Sequence, residues 1–150
     1  MVDYWTYIRT AIIVKAGVYM TRQPDAHAVS RFEGEKVISL ETYRKNGEPV
    51  RTPVWFLEEH GVLYVHTDDK TGKVKRIQRN PKVRVAPSHF RGKPKADYVD
   101  GRAELERNPE TVEKYHSQIY KRYGLQGTFT KFLQGFSRSK ARDVIIVIHP

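Results

Sequence analysis

The sequence predicts a mainly β fold: six strands, mostly antiparallel, curled into a small barrel with helices at its periphery. Two observations carry this. Short β-rich runs recur between Lys36 and Leu105 and return at Asp143–His149, several of them alternating apolar and polar residues. Gly-, Asn- and Pro-containing turns separate them at Asn46-Gly47, Glu58–Gly61, Asn80-Pro81 and Ser88–Pro94.

Residues 2–20 place Tyr4, Ile8, Ala11 and Ile12 at helical spacing, and Gly17 can end that helix. Residues 21–34 are polar, contain Pro24, Asp25 and Gly34, and read as a loop. The barrel core is expected over 36–106. Lys36–Tyr43 is the first strand, and Asn46-Gly47 turns the chain into Pro49–Leu57. Pro53 lies inside that second strand, so one edge there should be unpaired or bulged. Val62–Thr67 is the third strand, and the three are expected as an antiparallel meander. Lys73–Asn80 is a short helix stopped by Pro81. In Lys82–Pro87, Val83 and Val85 face inward and Lys82 and Arg84 outward. Lys95–Leu105 is the next strand, with Gly101 a bulge or a close approach.

A helical insert spans 109–136. Its first helix, Pro109–Tyr123, has Asn108 as N-cap, Pro109 in the first position and Val112, Tyr115, Ile119 and Tyr123 on one face. A second short helix is expected over 128–136. The last strand, within 142–149, is continuously apolar from Val144 to Ile148, so both its faces should be covered.

With 150 residues the chain is expected to be a single domain, large enough to bury a core without staples. It has no cysteine, which removes disulfides, thiolate metal sites and a thiol nucleophile from consideration. The apolar run Ala11–Val14 is far short of the ~20 residues a membrane span needs. No secretory signal is evident, so the expected location is cytoplasmic. The formal net charge of +10 draws polyanions: nucleic acid, an acidic membrane or a phosphate-bearing cofactor.

Ten of the cations fall between Lys70 and Lys95, a stretch without an acid. A solvated basic face is the simple account. Thr71-Gly72-Lys73 at the start of the short helix suggests more, because unpaired N–H groups and the helix dipole favour an anion there. A cap by Asp69 is the competing explanation. Arg51, on one face of its strand with Pro53 and Trp55, is either an exposed arginine or a forked phosphate donor. The six histidines have no metal-ligand spacing, and His66 reads more readily as packing than as a ligand. With no catalytic acid, base or nucleophile evident, an enzyme built this way would leave the hard chemistry to a cofactor.

Arg44-Lys45-x-Gly47-x-Pro49-Val50-x-Thr52-Pro53-Val54-Trp55-Phe56 resembles the strand pair of the pyridoxamine 5'-phosphate oxidase-like superfamily, the FMN-binding split barrels. Thr71-Gly72-Lys73-Val74-Lys75-Arg76-Ile77, Arg79-Asn80-Pro81 and Val83-x-Val85-Ala86-Pro87 match its helix and following strand, and Gly101-Arg102-Ala103 its next hairpin. The wording is closest to the branch of coenzyme F420-dependent enzymes. The resemblance implies a six-stranded antiparallel split β-barrel, working as a homodimer with coenzyme F420 or FMN at the subunit interface and a small-molecule substrate. By position, Arg51, Thr71, Gly72 and Lys73 would hold the cofactor phosphate. Thr52, Pro53, Val54, Trp55 and Phe56 would follow its ring, while His66 and Thr67 would border the phosphate. Ala86, Pro87 and Ser88 would line the pocket. The C-terminal Arg-x-His segment of true pyridoxamine phosphate oxidases is not found in Asp143–Pro150, which speaks against that reaction. The resemblance implies hydride transfer by the deazaflavin coenzyme, with an FMN-binding reductase or oxidase of the same fold as the alternative. A nucleic-acid-binding module is the alternative from another class. It is weakened because only Phe90 and Tyr98 lie near the basic run for base stacking.

Overall fold

The computed structural model describes residues 31–124 and 142–150. The helices expected over 2–20 and 128–136 lie outside these residues. Seven strands and two helices follow in the order β1 (Val37–Tyr43), β2 (Pro49–Trp55), β3 (Leu57–Glu59), β4 (Val62–Asp68), α1 (Gly72–Arg79), β5 (Lys82–Pro87), β6 (Val99–Glu106), α2 (Pro109–Tyr123) and β7 (Asp143–His149).

All the pairings are antiparallel, in the order β2-β1-β5-β6-β7-β4-β3. The two ends of that order, β2 and β3, are neighbours in the chain, separated only by Phe56. The sheet must therefore curl until its ends meet, which makes a barrel. The expected strand 49–57 is really two: it pairs with β1 as far as Trp55 and with β4 from Leu57. This corrects the count from six to seven. It also corrects the simple meander, because β4 pairs with β3 and β7 and not with β2.

Phe56, fully buried, occupies the corner and has no partner in either ladder. The Tyr123 hydroxyl takes the place of a strand there, within hydrogen-bond reach of the Phe56 N–H, the Phe56 carbonyl and the Lys36 carbonyl. Buried peptide groups need such partners.

The interior is apolar, drawing Ile38 and Leu40 from β1, Val65 from β4, Val83 and Val85 from β5 and Ile146 and Ile148 from β7. Val74 and Ile77 of α1 join the same core. On the other side of β7, Ile145 packs under Val112 and Tyr115 of α2, so both faces of this strand are covered as its composition predicts. The Asn108 side chain accepts from the N–H groups of Glu110 and Thr111, as an N-cap should. Only Gly47 of the Asn-Gly turn takes positive φ, at 86°.

β6 begins at Val99, not Lys95. The preceding residues instead follow β5, with Lys95 N–H donating to the Pro87 carbonyl and Tyr98 reaching β1. Gly101 marks a close approach: a Cβ there would lie 2.8 Å from the His149 carbonyl oxygen.

Candidate functional site

Lys73 and Arg76 stand at the N-terminal end of α1. Thr71 is the N-cap but makes no side-chain cap bond, and no acid occupies the first turn. Asp69 does not cap the helix either. Its carboxylate accepts from Arg107 Nη2 at 2.7 Å, which removes the competing explanation for the lysine-rich start. Thr71 Oγ1 donates to the Asp68 carbonyl and lies 3.4 Å from Thr67 Oγ1.

Arg76 folds back over this end. Its Nε donates to Thr42 Oγ1 at 2.8 Å, and its Nη1 would stand 2.9 Å from a Cβ on residue 72. Gly72 is therefore the residue that lets the guanidinium lie over the helix start. Burial, and then Arg76 beside it, lower the Lys73 pKa against the opposing pull of Asp68. Burial lowers that of Arg76 too, helped by Arg44 and Arg79. Among the described residues neither cation has a carboxylate within ion-pair distance. Two desolvated, mutually repelling cations beside uncapped helix N–H groups form a site that an anion would stabilise.

Arg51 sits elsewhere. In the β1–β2 register it faces Glu41, while Thr42 faces Val50, so Arg51 and Arg76 address opposite faces of β1. Arg51 Nε donates to Glu41 Oε2 at 2.9 Å, and its guanidinium lies 5.0 Å from the Tyr98 ring centre. The hydrogen bond to Glu41 raises its pKa. Arg84 approaches the other oxygen of Glu41 at 3.6 Å and the same ring at 5.4 Å. The Tyr43 hydroxyl also donates to Glu41, which is 2% exposed. The structure thus brings Thr67, Thr71, Gly72 and Lys73 together and leaves the Arg51 head group on the outer face.

Along β2, Thr52 and Val54 lie on the inward side, opposite Leu40 and Ile38. Pro53 and Trp55 share the outward side with Arg51. No described strand pairs with the second edge of β2, so alternate backbone groups from Arg51 to Trp55 point away from the sheet. Ala86 and Pro87 are buried opposite Ser39 and Ile38 and lead into Ser88.

His66 and Thr67 separate by alternation: Thr67 joins the α1 site and His66 lies under α2. Its ring centre is 4.6 Å from that of His116. Its Nε2 is 3.4 Å from Asp143 Oδ2 but out of line for a hydrogen bond. Burial dominates and lowers the His66 pKa, and His116 adds to this while Asp143 and Asp68 oppose it.

A cavity of about 350 Å³ opens at the Val37–Trp55 end of the β1–β2 pair, lined by Trp55, Ser88, Phe90 and Tyr123 among others. Three of the residues that shape these sites, Thr42, Arg76 and Tyr123, carry no sequence signal of their role. The nearest to one is the four-residue step from Gly72 to Arg76, which places both on one helix face.

Among the described residues no helix is long and apolar enough to cross a membrane, and no cluster could hold a metal ion. No curated protein sequence matches the chain. Among solved structures, an F420 reductase is similar at 23% identity, over 81% of this chain and 90% of that one, with a TM-score of 0.56. General stress protein 26 from Bacillus anthracis str. Sterne is 25% identical over 83% of this chain and 87% of that one, with a TM-score of 0.56. HutZ, a heme storage protein from Vibrio cholerae, is 16% identical over 85% and 90%, with a TM-score of 0.59. The family model for pyridoxamine 5'-phosphate oxidase matches residues 24–150, the whole described barrel included, and the chain belongs to that family.

Proposed function

We propose that the protein is a flavin- or deazaflavin-dependent oxidoreductase, using coenzyme F420 to reduce a small molecule and working as a cytoplasmic homodimer with its cofactor at the subunit interface. The observation that carries this is the pair of mutually repelling cations, Lys73 and Arg76, whose pKa burial lowers and which have no carboxylate within ion-pair distance, at an uncapped helix start. That chemistry fits a phosphate, which flavins and deazaflavins share. The similarity to an F420 reductase favours the deazaflavin. FMN would use the same phosphate residues.

When bound, the reduced cofactor supplies the hydride. The chain's own residues do the rest. Lys73 and Arg76 would hold the phosphate with the helix N–H groups, and Thr67 and Thr71 would turn their hydroxyls toward it. The open edge of β2 offers backbone donors and acceptors to the ring. Arg51 keeps Glu41 paired and β2 in register.

Titrating the purified protein separately with coenzyme F420 and FMN, followed by absorbance, tests this. One of them should bind saturably. If neither binds at high concentration, the proposal fails.

A further inference from the structure

We infer that the cavity beside Trp55 is a second binding site, for a planar conjugated carboxylate; its role as the acceptor pocket rests on the oxidoreductase reading above. The cavity, about 350 Å³, lies within the size range of small-molecule sites. Three aromatic side chains line it. Trp55 and Tyr123 are stacked, with ring centres 5.8 Å apart and planes 25° apart. The Tyr123 hydroxyl is anchored on the backbone of Phe56 and Lys36, so this platform is rigid before any ligand arrives. Phe90 lies 6.3 Å from Trp55 between ring centres, its plane tilted by 44°, and is 63% exposed. Its open face leaves room for a flat ligand to pack beside Trp55.

The Phe90 loop is held in place. Gly92 N–H donates to the His89 carbonyl and His89 N–H to the Lys93 carbonyl. Gly92, with φ of 87°, lets the loop turn against Pro53, where a Cβ would meet the proline ring at 3.4 Å. The aromatic wall is therefore preformed on the outward face of β2. Its charges select an anion. Glu35 is neutralised by Lys95 at 2.7 Å, which leaves Lys36 as the uncompensated charge among the ionic side chains of the lining.

The cavity is distinct from the cationic site. It sits where Val37 faces Trp55, whereas Arg76 binds Thr42, near the opposite end of the same strand pair. Five residue steps separate Val37 from Thr42, roughly 17 Å of strand. A cofactor phosphate at α1 and a second ligand at Trp55 do not compete for residues. An acceptor in this pocket would gain a hydride from the reduced cofactor and a proton from water, and the cofactor would leave oxidised.

The test is calorimetric titration of the cofactor-free protein with 2-naphthoate and with cyclohexanecarboxylate, which has the charge without the planar ring. The expected result is one saturable site for 2-naphthoate. Phe90→Ala should weaken it by about fivefold, and loss of ring planarity by about tenfold, given the strength of aromatic pairs. Lys36→Gln should weaken it by about threefold, as for a rim charge. A Lys73→Ala/Arg76→Ala variant should bind 2-naphthoate unchanged. Absent saturation, equal binding of the two carboxylates, or an unchanged Phe90→Ala variant would overturn the inference; Phe90 is exposed, so its loss should spare the fold. Displacement of 2-naphthoate by coenzyme F420 or FMN would overturn it too, by assigning the cavity to the cofactor ring. If 2-naphthoate binds while neither cofactor does, the binding site stands and the oxidoreductase proposal fails.

Discussion

Partial burial and repulsion from neighbouring cations lower the pKa of Lys73 and Arg76, and only Asp68, beyond ion-pair distance, pulls the other way at Lys73. An anion bound there would relieve both. Charge-assisted hydrogen bonds contribute roughly 1.5–3 kcal/mol each, so the Lys73→Ala/Arg76→Ala variant should lose at least about 100-fold in cofactor affinity by titration. Arg51→Ala should act differently. It strips one partner from the buried Glu41, so it should lower the melting temperature and leave cofactor affinity closer to wild type. His66 makes a pH prediction. Burial keeps it neutral in the folded protein to lower pH than its ordinary value of 6.5. Between the lowered value and 6.5 the unfolded chain holds more protons, so stability should fall as pH drops through that window. Urea unfolding at a series of pH values, compared with His66→Gln, checks it; an equally steep profile in the variant would refute the assignment. At this scale the sequence was informative about residue type and less so about direction. Thr71-Gly72-Lys73 could be singled out because helix starts have a local chemistry. The destination of the Arg51 side chain could not, because strand pairing alone brings it, with Arg84, to Glu41.

At the scale of elements, α2 is the best-read segment. Asn108, Pro109 and the apolar face through Tyr123 are local signals, and the structure realises each of them. What local signals omit is that Tyr123 also serves a strand. It completes the hydrogen bonding of Phe56 where β2 gives way to β3. Burial raises the Tyr123 pKa, so the phenol stays protonated and can donate. Tyr123→Phe would leave buried peptide groups unpaired and should cost about 1–3 kcal/mol by chemical denaturation. A loss well under that would mean water replaces the hydroxyl. The basic run also changes meaning once elements are placed. Arg84 meets Glu41 and Asp100, and Lys95 meets Glu35, while Lys73 and Arg76 remain for the anion site. The ten cations are therefore not one track. β6 starts later than its β-rich sequence suggests, because Lys95–Tyr98 follows β5 and then reaches over to Ser39, a pairing that no local pattern encodes.

For the whole molecule, curling depends on one corner. Phe56 is fully buried, meets Phe32 edge-on at 6.2 Å between ring centres, and joins the two ends of the sheet. Phe56→Ala should cost about 3–5 kcal/mol, measured by urea unfolding, since it opens a cavity at the joint. A cost below about 1 kcal/mol would show that the corner repacks. The mainly β class and the barrel were legible because strand alternation and turn residues are written locally. The change of partner at Phe56 was not, because pairing joins residues far apart in sequence and Pro49–Leu57 reads as one run.

The position of β7 bears on how the protein is made. It lies between β6 and β4, yet it is translated after every other strand of the sheet. Until it emerges from the ribosome, β4 and β6 each keep an unpaired edge, and the apolar residues that Ile145, Ile146 and Ile148 will cover face solvent. The nascent chain can form its hairpins early, but the barrel closes only with this insertion. A chaperone that shields β-edges would act in that interval, and a stop codon before residue 143 would leave aggregation-prone open sheet edges at β6 and β4 in place of a closed barrel.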